Sequence, residues 1–427
     1  MTQSDLSGNT LLAEWIGPYQ GVPAWDKLKT SDFPAAFQAS MDSLEAEIEV
    51  IGSNPEPASF ENFTVPMQLA GKQLDNLFSL WGVYSSNLST PEGREIEAEW
   101  IPKVSAFITE LTLDPALLER YEAVYNNRKA AGLNAQQTRL VERDYEELVR
   151  DGALLEPQKK TELVRLSTEL AKAFSSFSNK VLADEETYIY LTEEADLAGL
   201  PASFVASIRQ AAENQDKRGW ALKNTRSVMQ PFLSNSTRRD LREQVYNAYI
   251  NRGDNGDQND TNAIISNILD LRAKRAKLLG FKTHAHYRMD DTMAKDPERA
   301  MDLMMKVWPA AVARVKEEVA DMQAIADQEQ AGIKIAPWDY RFYAEKVRKD
   351  KYDLDQAELK PYFKLDNMMA AMFDAAGKLY GMQFSENTGS VPVFHPDVRT
   401  FEVKRDEKVI GLFYLDNFAR EGKRSGA

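Results

Sequence analysis

Cysteine is absent from all 427 residues, which excludes disulfides, thiolate catalysis and structural zinc sites of the cysteine type. Histidine is nearly absent too: only His284, His286 and His395 occur. There is no H-E-x-x-H, no phosphate-cradling glycine loop and no G-x-S-x-G elbow, so no familiar catalytic signature is complete in this sequence. Positive charge is in deficit. With 52 Lys and Arg against 66 Asp and Glu, the net charge of -14 repels a nucleic-acid backbone or an anionic membrane surface, and leaves small or cationic ligands open. No uncharged apolar run is long enough to span a bilayer, and the polar segment Met1–Thr10 shows no apolar signal-peptide core. A cytoplasmic protein is the expectation, or a periplasmic one if a signal peptide has been removed. No internal period is visible, which excludes a repeat scaffold.

What is present is mostly helical periodicity. After an aromatic arm containing Trp15, Tyr19 and Trp25, the residues Phe37, Met41, Leu44, Ile48 and Ile51 recur at steps of three and four. The same rhythm predicts one helix over Val65–Asn87, further helices opened by Thr90-Pro91 and Asp114-Pro115, and long ones over Ala135–Asp151 and Pro157–Ala183. Thr187–Leu191 and Gly219–Lys223 read as two short strands flanking a helix over Pro201–Asn214. A boundary near residues 235–240 divides an N-terminal helical domain, 1–236, from a second domain, 237–427. Helices resume over Arg238–Arg252 and Asn262–Leu279, the latter stopped by Gly280. Another is capped by Asp296-Pro297, and one more covers Asp366–Tyr380. A β-rich tail then begins at Val391, with Phe401 and Val403 alternating with polar residues and Val409–Asp416 returning as the inner strand of a hairpin, buried on both faces.

Few of these features carry chemistry. The loop Gly253–Asp260 lacks the alternating acids and closing Glu of a calcium loop, and reads as a solvated cap for the helix after it. His284 and His286 stand two apart, which on a helix sends them to different sides, against shared metal ligation. His395, before Pro396-Asp397, either lines a site or serves a turn. Asp416, Arg420 and Lys423 are spaced to form a local charge network, with guidance of a ligand as the alternative.

The densest signal is the run Gly411, Phe413-Tyr414-Leu415-Asp416, Arg420, Gly422-Lys423 and Gly426-Ala427. It resembles the segment just upstream of the zinc motif in the thimet oligopeptidase and oligopeptidase A family of zinc metallopeptidases. "WDYRFYAEK" with "LKPYF", "LRAKRAKLLGF" followed by "MAKDPE", and "FHPDVRTFEV" resemble the same family in the same order. The opening "GPYQGVPAWDKLKTSDFPAAF" and the ending K-R-S-G-A are most similar to its peptidyl-dipeptidase branch.

The resemblance implies a mainly α, two-lobed protein with a small sheet near the C-terminus, and a zinc enzyme that hydrolyses short peptides, releasing C-terminal dipeptides. In the family a glutamate activates the zinc-bound water against the peptide carbonyl. Those metal ligands and that base are not among these residues, so the chain is expected to be an N-terminal portion, inactive and without zinc by itself. Lys423, Ser425, Gly426, Ala427 and His395 are the expected substrate contacts, with Asp416 and Arg420 as support. Small residues at 425–427 would let an extended peptide pair with the backbone. Exposed apolar surface near 409–427 and self-association are expected of such a portion. The alternative is a non-catalytic helical scaffold that binds peptides or a partner.

Overall fold

A computed structural model describes residues 9–354 and 356–424. The calls on Ser425, Gly426 and Ala427 lie outside the described residues. The chain divides into two compact units: residues 9–176 with Ser266–Tyr287 and Ala376–Arg424 form one, and Phe177–Ile265 with Arg288–Ala375 form the other.

The first stretch is helical throughout: α1 (Phe33–Gly52), α2 (Val65–Leu69), α3 (Lys72–Asn87), α4 (Pro91–Thr112), α5 (Pro115–Asn127), α6 (Ala135–Arg150) and α7 (Pro157–Glu185). Their starts follow capping chemistry. Thr90 accepts the amide of Gly93, Asp114 accepts those of Ala116 and Leu117, and Asn134 closes a capping box with Gln137. The apolar faces of α1, α3 and α4 meet in an aromatic core. Phe33 stands edge-on to Trp81 at 4.8 Å, and Phe37 stacks on Trp100 at 6.1 Å. Each fully buried ring of this kind stabilises the fold by roughly 1.5–3 kcal/mol.

The sequence rhythm over 65–87 conceals a break. Instead of one helix, α2 ends at Leu69 and α3 begins after Gly71, whose φ of 81° is left-handed. Leu74, Leu77 and Leu80 keep the apolar spacing going, so periodicity alone does not show the interruption.

In the second unit, β1 (Tyr188–Leu191) pairs antiparallel with β2 (Trp220–Lys223), with α8 (Ala202–Glu213) between them in sequence. With α9 (Arg226–Asn235) and α10 (Arg239–Ile250), they bury Leu191, Ile208, Leu222, Phe232 and Leu233. In chain order α11 (Asn262–Leu278) and α12 (His284–Met289) come next and lie largely in the first unit; α13 (Pro297–Gln328), α14 (Tyr340–Tyr352) and α15 (Gln356–Leu359) belong to the second, and α16 (Leu365–Tyr380) runs from the second into the first. Asp339, fully buried at the start of α14, accepts bonds from Arg239 at 2.9 Å and from Arg242 at 2.8 Å, which ties α10 to α14.

The C-terminal sheet has order β3-β4-β5: β3 (Met382–Glu386), β4 (Arg399–Arg405) and β5 (Lys408–Leu415), all antiparallel. Two expectations are corrected here. The β-rich tail begins at Met382 rather than Val391, since β3 was hidden behind the end of α16. The run from Val409 is the edge strand, not an inner one, and it is not buried on both faces: Val409 and Ile410 are exposed and Gly411–Leu415 half-buried. β4 is the central strand, and it holds the buried Thr400, Phe401 and Val403.

Candidate functional site

Three of the residues singled out by sequence, Asp416, Arg420 and Lys423, lie together in the turn after β5. The β4–β5 connection is a two-residue turn in which Asp406 and Glu407 both have positive φ, the twist-matched hairpin geometry. β5 then delivers Asp416 to a compact turn. Arg420 grips the Asp416 carboxylate with two bonds, at 2.8 and 2.9 Å, and Lys423 lies 3.1 Å from it. The Lys423 ammonium also donates to the carbonyls of Asp416 and Phe418, at 2.9 and 3.0 Å. Burial pushes the Asp416 carboxyl up, but the bonds from Arg420 and Lys423 outweigh it and hold the group below the usual carboxylate range.

The turn is stapled to the α3–α4 connection. The Ser89 amide donates to the Gly422 carbonyl at 3.0 Å, and the Arg424 amide to the Ser86 carbonyl at 2.8 Å. Arg420 adds a bond to the Asn87 carbonyl, and Arg424 adds bonds to the Ser85 carbonyl and the Glu97 carboxylate. Gly422 is required here, because its φ is 72° and a Cβ would lie 2.6 Å from the Ser89 carbonyl oxygen. Burial raises the Glu97 carboxyl above its ordinary value in spite of Arg424.

The other face of the sheet is held by the N-terminal arm. The Tyr19 hydroxyl donates to Glu402 at 3.0 Å and accepts from Asn387 at 2.7 Å, while Trp25 stands edge-on to Phe394 at 5.5 Å. Phe394 stacks in turn on Tyr414, whose hydroxyl burial pushes up to about 12. The aromatic arm expected to pack against the body does so through Tyr19 and Trp25, whose partners Glu402, Asn387 and Phe394 were not legible in the sequence.

Asp416, Arg420 and Lys423 are thus brought together. His395 is placed elsewhere, in the connection between β3 and β4. Its Nδ1 accepts the Asp397 amide at 3.2 Å and sits 3.5 Å from the Asp397 carboxylate. Among the described residues no hydrogen bond joins His395 to the 416–424 turn. Nor is there, among them, a group of three or more His, Asp or Glu side chains disposed to hold a metal ion. His286 is bonded to Thr283 at 2.8 Å, and His284 packs beside the Tyr287 ring. Asp184, near the end of α7, accepts from Gly253, Asn255 and Asn259 of the loop after α10, so its carboxylate is engaged by that loop's donors.

Residues 232–427, the stretch that contains this sheet and turn, match the model of peptidase family M3. Over that segment the chain is similar to peptidase family M3. The similarity extends further. The chain is 34% identical over 423 residues to dipeptidyl carboxypeptidase of Escherichia coli, covering 98% of this chain and 62% of that relative. It is 29% identical over 412 residues to oligopeptidase A of Salmonella typhimurium, covering 95% of this chain and 60% of the relative. It is 30% identical over 441 residues to a probable cytosolic oligopeptidase A of Arabidopsis thaliana, covering all of this chain and 61% of the relative. The chain therefore spans about three fifths of the length of the curated relatives it matches. No helix among the described residues is long and apolar enough to cross a membrane.

Proposed function

We propose that these residues are the N-terminal portion of a zinc-dependent oligopeptidase of the peptidyl-dipeptidase kind, acting on short peptides and releasing C-terminal dipeptides. The observation that carries this is the near full-length alignment with a dipeptidyl carboxypeptidase, joined to the family M3 match over 232–427. On this reading 1–236 is a helical domain and 237–427 begins the catalytic one.

Zinc does not fit the side chains in hand. A catalytic zinc site takes three protein ligands and leaves one position open. Here His284 and His286 diverge, with His286 bonded to Thr283, and His395 is engaged by Asp397. No step through zinc is derived from these residues, and the 427-residue chain by itself is proposed to be inactive. What it supplies is a wall. The Asp416–Arg420–Lys423 turn, fastened to Ser85, Ser86, Ser89 and Glu97, would fix the backbone leading into Ser425, Gly426 and Ala427, where an extended peptide could add as a strand. With its ammonium already taken by three oxygens, Lys423 suits support better than direct substrate contact. His395 keeps its place as a proposed contact at the rim of the same sheet. A cytoplasmic location accords with the cytosolic relative, with the periplasm as the alternative.

Sequencing the gene past codon 427 tests the reading. A frame that continues into H-E-x-x-H, with peptidase activity in the complete product, is the expected result. A stop codon directly after Ala427 would sink it and favour a non-catalytic helical scaffold.

A further inference from the structure

The segment after β5 finishes a helix of the N-terminal region. An α-helix leaves its last four carbonyls without intrahelical partners, and in α3 these belong to Tyr84, Ser85, Ser86 and Asn87. The Leu88 amide takes the first, at 2.8 Å. The other three are met from far along the chain: Ser85 and Ser86 by the Nε and the amide of Arg424, at 3.1 and 2.8 Å, and Asn87 by Arg420 at 3.2 Å. Two guanidinium groups therefore sit at the negative end of the α3 dipole, where cations are favoured. Glu97 of α4 accepts a further bond from Arg424 Nη2 at 2.8 Å, with a side chain only 15% exposed. The amide, Nε and Nη2 of Arg424 are thus each held.

Glu97 is the member of this set that stability does not explain. Asp416 is held below the usual carboxylate range by Arg420 and Lys423, whereas burial raises the Glu97 carboxyl in spite of Arg424 and Arg94. An acid whose folded value is raised contributes stability at low pH and loses it as pH rises through that value, so ionised Glu97 detracts from stability. A buried ion pair is weak evidence for stability, and the geometry it fixes is the alternative reason to keep one. Asp416 belongs to the turn itself, whereas Glu97 comes from α4, so its loss frees the Arg424 head group without dismantling the turn. We propose that Glu97 is a positioning residue for peptide binding: acting through Arg424, it sets how the backbone leaves the α3 cap toward residues 425–427. This role rests on the reading that an extended peptide adds beside 425–427. It puts part of the support for the peptide site in α3 and α4, outside the segment 232–427 that matches the family model.

The test is steady-state kinetics of the complete gene product on short peptides, alongside its melting temperature at neutral pH. Glu97→Gln removes the charge and keeps the shape. It should raise KM roughly three- to tenfold, the weight of one hydrogen bond, with little change in kcat and no fall in melting temperature. Arg424→Gln should raise KM likewise, and Glu97→Gln added to it should change nothing more, because the two act as one unit. Glu99→Gln, which breaks an exposed pair with Lys103 on the same helix, is the control and should leave KM unchanged. A KM indifferent to Glu97→Gln overturns the proposal, as does a rise that adds in full to that of Arg424→Gln. A rise accompanied by a lower melting temperature makes Glu97 a structural prop and overturns it equally. A complete product that cleaves no peptide sinks the peptidase reading and the role of Glu97 with it, whereas an active product with an unchanged KM sinks that role alone.

Discussion

Replacing Gly422 by alanine should loosen the turn that follows β5 without unfolding the protein. Two costs follow from the geometry. Alanine at a φ of 72° is left-handed, which costs an L residue roughly 1–2 kcal/mol. Its Cβ, built 2.6 Å from the Ser89 carbonyl oxygen, cannot be accommodated unless backbone moves, and the bond from the Ser89 amide to the Gly422 carbonyl is the first to stretch. Losing that bond costs about 0.5–1.5 kcal/mol. The sum is about 1.5–3.5 kcal/mol, and at 1.4 kcal/mol per tenfold it corresponds to a roughly 10- to 300-fold rise in local opening. The remaining fastenings, Arg424 to Ser86 and Glu97 and Arg420 to Asp416, keep the loss local. Hydrogen exchange reads it directly. The Ser89 and Arg424 amides should lose protection by that factor, while core amides such as Leu77 keep theirs. Gly411→Ala is the control, since a Cβ there meets nothing within 4 Å. Unchanged protection at Ser89 and Arg424 in Gly422→Ala would refute the stapling argument.

Other expectations concern the buried charges. Asp339→Ala strands Arg242, which is 2% exposed, without its counter-ion and should cost about 3–5 kcal/mol in urea unfolding; a loss under 1 kcal/mol would show that the cluster is not needed for stability. Asp339 and Asp416 are both held below their ordinary range in the folded state, with the bonds from Arg239 and Arg242, and from Arg420 and Lys423, outweighing burial. A lowered folded-state value gives stability that is full above the unfolded value of about 3.9 and is lost as pH falls through the folded one. The melting temperature should therefore fall on acidification below about pH 4, and more gently in Asp416→Asn than in wild type.

Local rules carried much of this architecture. Phe37, Met41, Leu44 and Ile48 are buried in α1 as their spacing predicts, and Thr90 and Asp114 cap α4 and α5. The strand pair β1–β2 falls on the two short strands read from sequence, Thr187–Leu191 and Gly219–Lys223. The failures were of two kinds. The β-forming residues of Val409–Leu415 do not reveal whether a strand is central or at an edge, because the same run is compatible with either until its neighbours are known. The second kind is long-range pairing. Tyr19 meets Glu402 across 383 positions and Arg424 meets Glu97 across 327, and nothing local encodes such contacts. At the candidate site, the Asp416, Arg420 and Lys423 spacing was readable, whereas the partners that fasten the turn to α3 and α4 were not.

The proposal most in need of a test is that these residues are part of a peptidase like the family M3 relatives and do not themselves hold its catalytic metal. Metal analysis of the purified 427-residue chain after zinc loading, combined with an assay for dipeptide release from a short peptide, tests it most directly. The account predicts less than stoichiometric zinc and no dipeptide release. One zinc per chain with C-terminal dipeptides released would contradict it.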